Sequence, residues 1–398
     1  MSQQSEPITK QKSFSLITAI LLILPLILLG GVIVLFLRTG GGLQFSAPAP
    51  VEALTVERTI LKPANIDLIV RNGSPEEITI AQVIVNEAVR PFTASPSTTI
   101  PRLGQATIQV PYGWVEGEAY GVTLFTTNAV AFDVEIPVAF TTPEPTGTTF
   151  WGFTLIGIYV GIIPIYLGII WFPALRQLSR RWMIFFLALT VGLLIFLGVD
   201  TLAEAIEQVE GVPGPFQGVG LIGIGAVATF LLLSAISQRQ VAAGKSEVSQ
   251  RLRLSYMIAV GIGIHNLGEG LAIGAAFNLG EIALGSFLVV GFIIQNITEG
   301  LGIIAPILRD RPGIRNLILL GLVGGVPAVV GMWLGGFAPS PTLAVLFLAI
   351  GAGAIFQVAY EVTKLIRRDT ARVPIPMTVF SGILAGMLLL WITGMFIK

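Results

Sequence analysis

Cysteine is absent from the 398 residues, histidine occurs once, at His265, and only 12% of the chain is charged. Without cysteine there are no disulfides, no thiolate metal sites and no cysteine nucleophiles. A single histidine cannot supply the two of a His-Glu-x-x-His metalloprotease helix, and the chain is not expected to be an enzyme. Its 23 basic and 23 acidic residues cancel to +0, which leaves no overall field to gather a polyanion and removes nucleic acid as a partner. Soluble domains carry about a quarter charged residues. Here 54% of residues are hydrophobic and the mean hydropathy is +0.84, the composition of a polytopic membrane protein.

Residues 1–13 read as a cytoplasmic N-terminus and 14–37 as a transmembrane anchor. The uncharged run exceeds the roughly 7–15 residues of a signal-peptide core, so an anchor is favoured over a cleaved leader. Residues 45–145 then turn polar and alternate in short runs: Ile66, Leu68 and Val70; Ile78, Ile80 and Val83; Val122 and Leu124; Val134, Ile136 and Val138. Turn signals at Asn72-Gly73-Ser74-Pro75 and Glu116-Gly117-Glu118 separate them. The pattern predicts an all-β, extracytoplasmic sandwich whose architecture resembles immunoglobulin-like modules. It holds no cluster of metal ligands and reads as a rigid or partner-docking module.

From residue 150 the sequence predicts eight spans, at 150–172, 181–206, 216–236, 254–276, 282–308, 316–337, 342–366 and 376–397, nine with the anchor. Basic residues collect in alternate loops: Arg176, Arg180 and Arg181; Arg239, Lys245, Arg251 and Arg253; Arg309, Arg311 and Arg315; Lys364, Arg367, Arg368 and Arg372. The intervening loops have none and hold Glu207, Glu210 and Glu281. By the positive-inside rule the basic loops and the N-terminus with Lys10 and Lys12 are cytoplasmic, while the sandwich and the C-terminus are extracytoplasmic.

Two hexapeptides break the apolar runs, His265-Asn266-Leu267-Gly268-Glu269-Gly270 and Gln295-Asn296-Ile297-Thr298-Glu299-Gly300. A carboxylate at the middle of a spanning helix costs about 2.5–3.5 kcal/mol on insertion scales, so such residues usually mark an ion or substrate path. His265 and Glu269 stand one turn apart on one helix face, and Gln295 and Glu299 repeat the spacing on the next span. Two antiparallel helices can bring these four ligands to one point, with Asn266 and Asn296 as further amides. Imidazole, carboxylate and amide oxygen suit zinc, iron, manganese or cobalt better than copper(I). Gly270 and Gly300 permit close helix approach, and the GxxxG pairs Gly270–Gly274 and Gly382–Gly386 read as packing devices.

The pair resembles the metal motifs of the Zrt/Irt-like (ZIP) divalent metal transporters, whose pattern is His-Asn-x-Pro-Glu-Gly on the fourth of eight helices with a related motif on the fifth. His265, Asn266 and Glu269 match the first; Asn296 and Glu299 match the second, and Gln295 stands where many members have His. The resemblance covers 150–398 and implies an eight-helix ZIP-like transport domain carrying a divalent cation, zinc first, iron or manganese next. It implies a pathway through Asp200 and Glu204 on one side and Gln357 and Glu361 on the other. It leaves out the anchor and the sandwich. Both motif prolines are replaced, by Gly268 and Thr298. The span at 316–337 lacks the acid that many members contribute to a second metal, so one metal is expected rather than two. Expected partners are the lipid bilayer and the metal itself, with a homodimer and an extracytoplasmic protein on the sandwich compatible with this reading. The expected location is the plasma membrane. A non-transporting metal-binding receptor or assembly protein signalling through the sandwich is the alternative.

Overall fold

The computed structural model describes residues 16–39, 51–241, 246–278, 282–371 and 374–395. They fall into two compact units, Met1–Val51 and Glu52–Lys398. The expected cytoplasmic segment 1–13 lies outside the described residues, as do Lys245, Glu281 and Arg372 of the loops. The first unit holds one helix, α1 (Leu16–Thr39), with Pro25 inside it. Its described apolar stretch, Ile23–Phe36, is shorter than a full span, and Leu26, Ile27, Val32 and Leu35 are all exposed.

The second unit opens with nine strands: β1 (Leu54–Lys62), β2 (Asn65–Asn72), β3 (Ile78–Val85), β4 (Ala88–Arg90), β5 (Thr93–Ser95), β6 (Thr99–Ile100), β7 (Gln105–Pro111), β8 (Tyr120–Thr126) and β9 (Ala131–Ile136). They form two antiparallel sheets, β1-β2-β7-β5 and β4-β3-β8-β9, with β6 added against β3. The alternating residues Ile66, Leu68 and Val70 of one sheet meet Ile78, Ile80, Val83, Val122 and Leu124 of the other in one buried core, as period-two patterning requires. Val138 falls beyond the end of β9, where Pro137 has no N–H to extend the ladder. The turn after β2 is built by Asn72, whose buried amide donates to Glu76 O and Ile100 O and accepts from Ser74 N. That turn rests against the helical part: a Cβ at Gly73 would lie 3.3 Å from Pro215 Cδ, and the Arg71 guanidinium stands 5.9 Å from the centroid of Phe216.

The helices follow. A first rod, Gly147–Leu175, contains α2 (Gly147–Gly157), a π-helical turn (Ile158–Ile162), α3 (Ile163–Ile170) and α4 (Phe172–Leu175). Then come α5 (Arg180–Glu207), α6 (Gly218–Val241), α7 (Glu247–Asn278), α8 (Ile282–Ile304), α9 (Ile314–Phe337), α10 (Pro341–Thr370) and α11 (Pro376–Gly394). Among the described residues seven helices are long and apolar enough to cross a membrane, against nine expected from the sequence. The difference lies in α1 and in α11, whose apolar stretch ends at Ile392. At about 1.5 Å per residue, the 19 residues of α11 come just short of a hydrocarbon core of about 30 Å. The seven spans make this a multi-pass membrane protein, and the apolar side chains they leave exposed, such as Ile224, Val227, Leu231 and Leu232 of α6, suit a lipid environment.

Helices α7 and α9 run parallel in close register. Asn266 Nδ2 donates to Gly324 O at 3.0 Å, and twelve residues on Asn278 Nδ2 donates to Gly336 O at 2.7 Å. Glycine makes the approach: a Cβ on Gly270 would stand 2.2 Å from Ala328 O. Across the bundle α8 meets α3 in the same way, a Cβ on Gly300 falling 2.3 Å from Ile165 O. The glycines of both hexapeptides therefore hold α7 and α8 against flanking helices, and their neighbours in sequence face one another.

Candidate metal centre

His265, Glu269 and Glu299 converge as the two hexapeptides predict. Each offers a ligand atom within 4.8 Å of the other two, and all three are buried. His265 Nε2 lies 3.2 Å from Glu269 Oε1. Gln295 reaches into the middle of the group: its Nε2 is 3.1 Å from Glu269 Oε1, 3.4 Å from Glu299 Oε1 and 3.4 Å from His265 Nε2. One amide nitrogen thus touches a ligand atom from each of the three residues, in the place a cation would take. A tetrahedral metal with bonds of about 2.1 Å holds its ligands about 3.4 Å apart, a spacing close to that of His265 Nε2 and Glu269 Oε1, so binding requires the Gln295 amide to turn away.

Thr201, on α5, is a residue the sequence did not single out. Its Oγ1 donates to Leu197 O at 2.7 Å and lies 2.9 Å from His265 Nδ1. A hydroxyl carries one proton, and the carbonyl takes it, so the threonine accepts from Nδ1–H. That assigns the tautomer and leaves Nε2 as the nitrogen that faces the carboxylates, the arrangement in which the second ring nitrogen of a ligating histidine is held by an outer partner.

Asn296 is positioned by a helix defect. Pro164 has no N–H, so Val160 O, four residues earlier, loses the partner an α-helix would give it. The chain makes a π-helical turn there, closed by Ile163 N–H to Ile158 O, and Asn296 Nδ2 donates to the freed Val160 O at 3.0 Å. The same amide donates to Glu269 Oε2 at 2.9 Å. The prolines missing from the hexapeptides leave α7 and α8 unbroken at the site; the nearest defect sits on the facing rod instead.

The balance of donors and acceptors is uneven. Asn266 Oδ1, Asn296 Oδ1 and Glu299 Oε2 are buried with no hydrogen-bond partner among the described residues. Buried polar atoms in native proteins are nearly always satisfied, and unsatisfied oxygens beside two carboxylates fit a cation. Asn266 Nδ2 donates to Gly324 O and Asn296 Nδ2 to Val160 O and Glu269 Oε2, while the Oδ1 of each stays without a donor among the described residues. The set is nitrogen and oxygen alone, suited to zinc, iron or manganese.

A cavity of about 470 Å³ reaches the site from the side of Asp200, Glu204, Glu207 and Gln208, with His265 and Gln295 among its lining residues and Phe292 and Trp391 as apolar walls. Asp200 and Glu204 therefore share one space with the histidine. Gln357 and Glu361 stand apart from the cluster on α10. Gln357 is fully buried, and neither atom of its amide has a partner among the described residues; Glu361 pairs with Lys364 at 3.3 Å and lines a separate, basic cavity with Arg251, Arg253 and Arg368. No protein-family model and no curated protein sequence matches the chain.

Proposed function

We propose that the helical domain carries a divalent transition-metal cation into the cytoplasm, zinc first and iron or manganese next, through the His265, Glu269 and Glu299 site. One observation carries the reading: a buried histidine and two buried carboxylates with unsatisfied oxygens of Asn266, Asn296 and Glu299 among them, reached at His265 by an acid-lined cavity. The likeness of both hexapeptides to ZIP motifs points the same way, and the bundle is read as ZIP-like, with an added immunoglobulin-like sandwich. The cation enters past Asp200 and Glu204, exchanges water for His265 Nε2, the Glu269 and Glu299 carboxylates and the amide oxygens of Asn266, Gln295 and Asn296, and leaves past Gln357 and Glu361. Its charge neutralises the two carboxylates, offsetting the burial that otherwise disfavours them. The protein acts in this proposal as a transporter of the plasma membrane and not as an enzyme.

Purified protein in liposomes loaded with a metal-sensitive dye tests it. Wild type is expected to take up zinc, and Glu269→Ala and Glu299→Ala are each expected to abolish uptake while inserting normally. Stoichiometric metal binding without flux in the wild type would overturn transport and leave the receptor alternative, in which the metal braces the bundle beneath the sandwich.

A further inference from the structure

A second cavity, of about 330 Å³, lies between the β1 strand and the helix ends. It falls in the lower range of small-ligand pockets, and its walls are of the usual kind, mostly apolar with a few polar groups. Leu271 and Ala275 of α7 and Ala344 and Leu348 of α10 supply the apolar surface, and among the polar lining residues, which include Glu57, Thr59, Gln208 and Ser340, Arg58 and Asn278 stand out.

Both polar groups lack something. Arg58 follows the point where the β1–β2 register slips, is half-buried, and among the described residues has no hydrogen bond or ion pair from its guanidinium, with Nε buried and unpartnered. Burial pushes its pKa down from the ordinary arginine value, with no carboxylate acting against it. Glu57 beside it is engaged elsewhere, by Arg71 and by Gln105 Nε2 at 2.6 Å. Asn278 is 2% exposed; its Nδ2 is held by Gly336 O, and its Oδ1 has no partner among the described residues. A half-buried guanidinium whose Nε lacks a partner and a buried acceptor without a donor in one mostly apolar cavity are each costly unless something completes them.

We propose that this cavity binds an anionic amphiphile with a hydroxyl or ammonium next to its charged group, Arg58 holding the anion, Asn278 Oδ1 accepting from the neighbouring donor, and the α7 and α10 walls covering the apolar chain. The N-terminus of the 30-residue helix α10, capped by Ser340 within the same wall, adds its dipole in the same sense. Phospholipid head groups and free hydroxy acids share this chemistry. The proposal stands apart from the transport reading, since none of these residues belongs to the metal site or to the pathway assigned to it.

The test uses the full chain in neutral detergent, with β-hydroxydecanoate, decanoate, decanol and decyltrimethylammonium as probes in a competition titration. β-Hydroxydecanoate is expected to bind with one-to-one stoichiometry and more tightly than decanoate, and both more tightly than the alcohol or the cation by about tenfold or more, the value of a charge-assisted hydrogen bond. Arg58→Met should lose that preference for the anion, and Ala344→Phe should abolish binding by filling the cavity. Equal affinity for anion and alcohol in the unmodified protein would overturn the proposal, whatever the variants do. So would unchanged binding in a correctly folded Arg58→Met. Mass spectrometry of what the probe displaces from freshly purified protein separates the sources: a glycerophospholipid or a free hydroxy acid each upholds the site and identifies its occupant.

Discussion

Thr201 decides which nitrogen of the only histidine can meet a ligand. Its hydroxyl proton is committed to Leu197 O, so it holds His265 by accepting from Nδ1–H. Valine has the same shape and no acceptor. Thr201→Val should therefore free the imidazole to rotate and to exchange tautomers, and metal affinity should fall by about 10–100-fold, the usual effect of losing an outer partner of a ligating histidine. Thr201→Ser keeps the oxygen and should retain most of the affinity. A competition titration against a metal indicator measures both, and an unchanged constant for Thr201→Val would remove the threonine from the site. The convergence of His265, Glu269 and Glu299 was legible in the sequence because its signal is local: a histidine or an amide one turn from a glutamate is visible in five residues. The threonine is polar but ordinary, and its role depends on α5 facing α7, which no short stretch of sequence states.

At the scale of elements, the defect that serves the site was also hidden from a motif-by-motif reading. The hexapeptides lack the prolines of the pattern they resemble, and the proline that matters, Pro164, lies in another span. It frees Val160 O, and Asn296 fills the gap while orienting Glu269. Pro164→Ala returns an N–H to the rod, where alanine is favoured over proline by about 3 kcal/mol in a helix interior. The variant should hold or raise the melting temperature and at the same time weaken metal binding by about tenfold, the value of one buried hydrogen bond. Thermal melts and metal titrations on one preparation check this, and an affinity equal to wild type would detach the π-helical turn from the site. The longer strands were readable for the opposite reason, since alternation over six to eight residues is its own evidence. Strands β4, β5 and β6, of two or three residues each, are too short to carry a period and follow from their partners.

For the whole molecule, the decisive quantity is the side of the membrane on which each end of the bundle lies, because the proposed transport has no direction without it. Helix count gives relative placement. Between the sandwich and the loop around Gly313 stand the rod Gly147–Leu175 and helices α5, α6, α7 and α8, an odd number of crossings, so those two regions belong on opposite faces. Charge sets the expected absolute sense, since basic loops tend to stay cytoplasmic: Arg309, Arg311 and Arg315 flank Gly313, whereas the connection between α5 and α6 on the sandwich side carries Glu207 and Glu210 and no basic residue. The absence of cysteine makes the test clean. Single cysteines placed at Glu87, in the exposed turn between β3 and β4, and at Gly313, also exposed, should react differently with a membrane-impermeant maleimide on intact cells. Glu87→Cys is expected to label at once and Gly313→Cys only after the membrane is permeabilised. The reversed pattern would turn the acid-lined cavity toward the cytoplasm and make the same site an exporter's, and labelling of both on intact cells would break the span order itself.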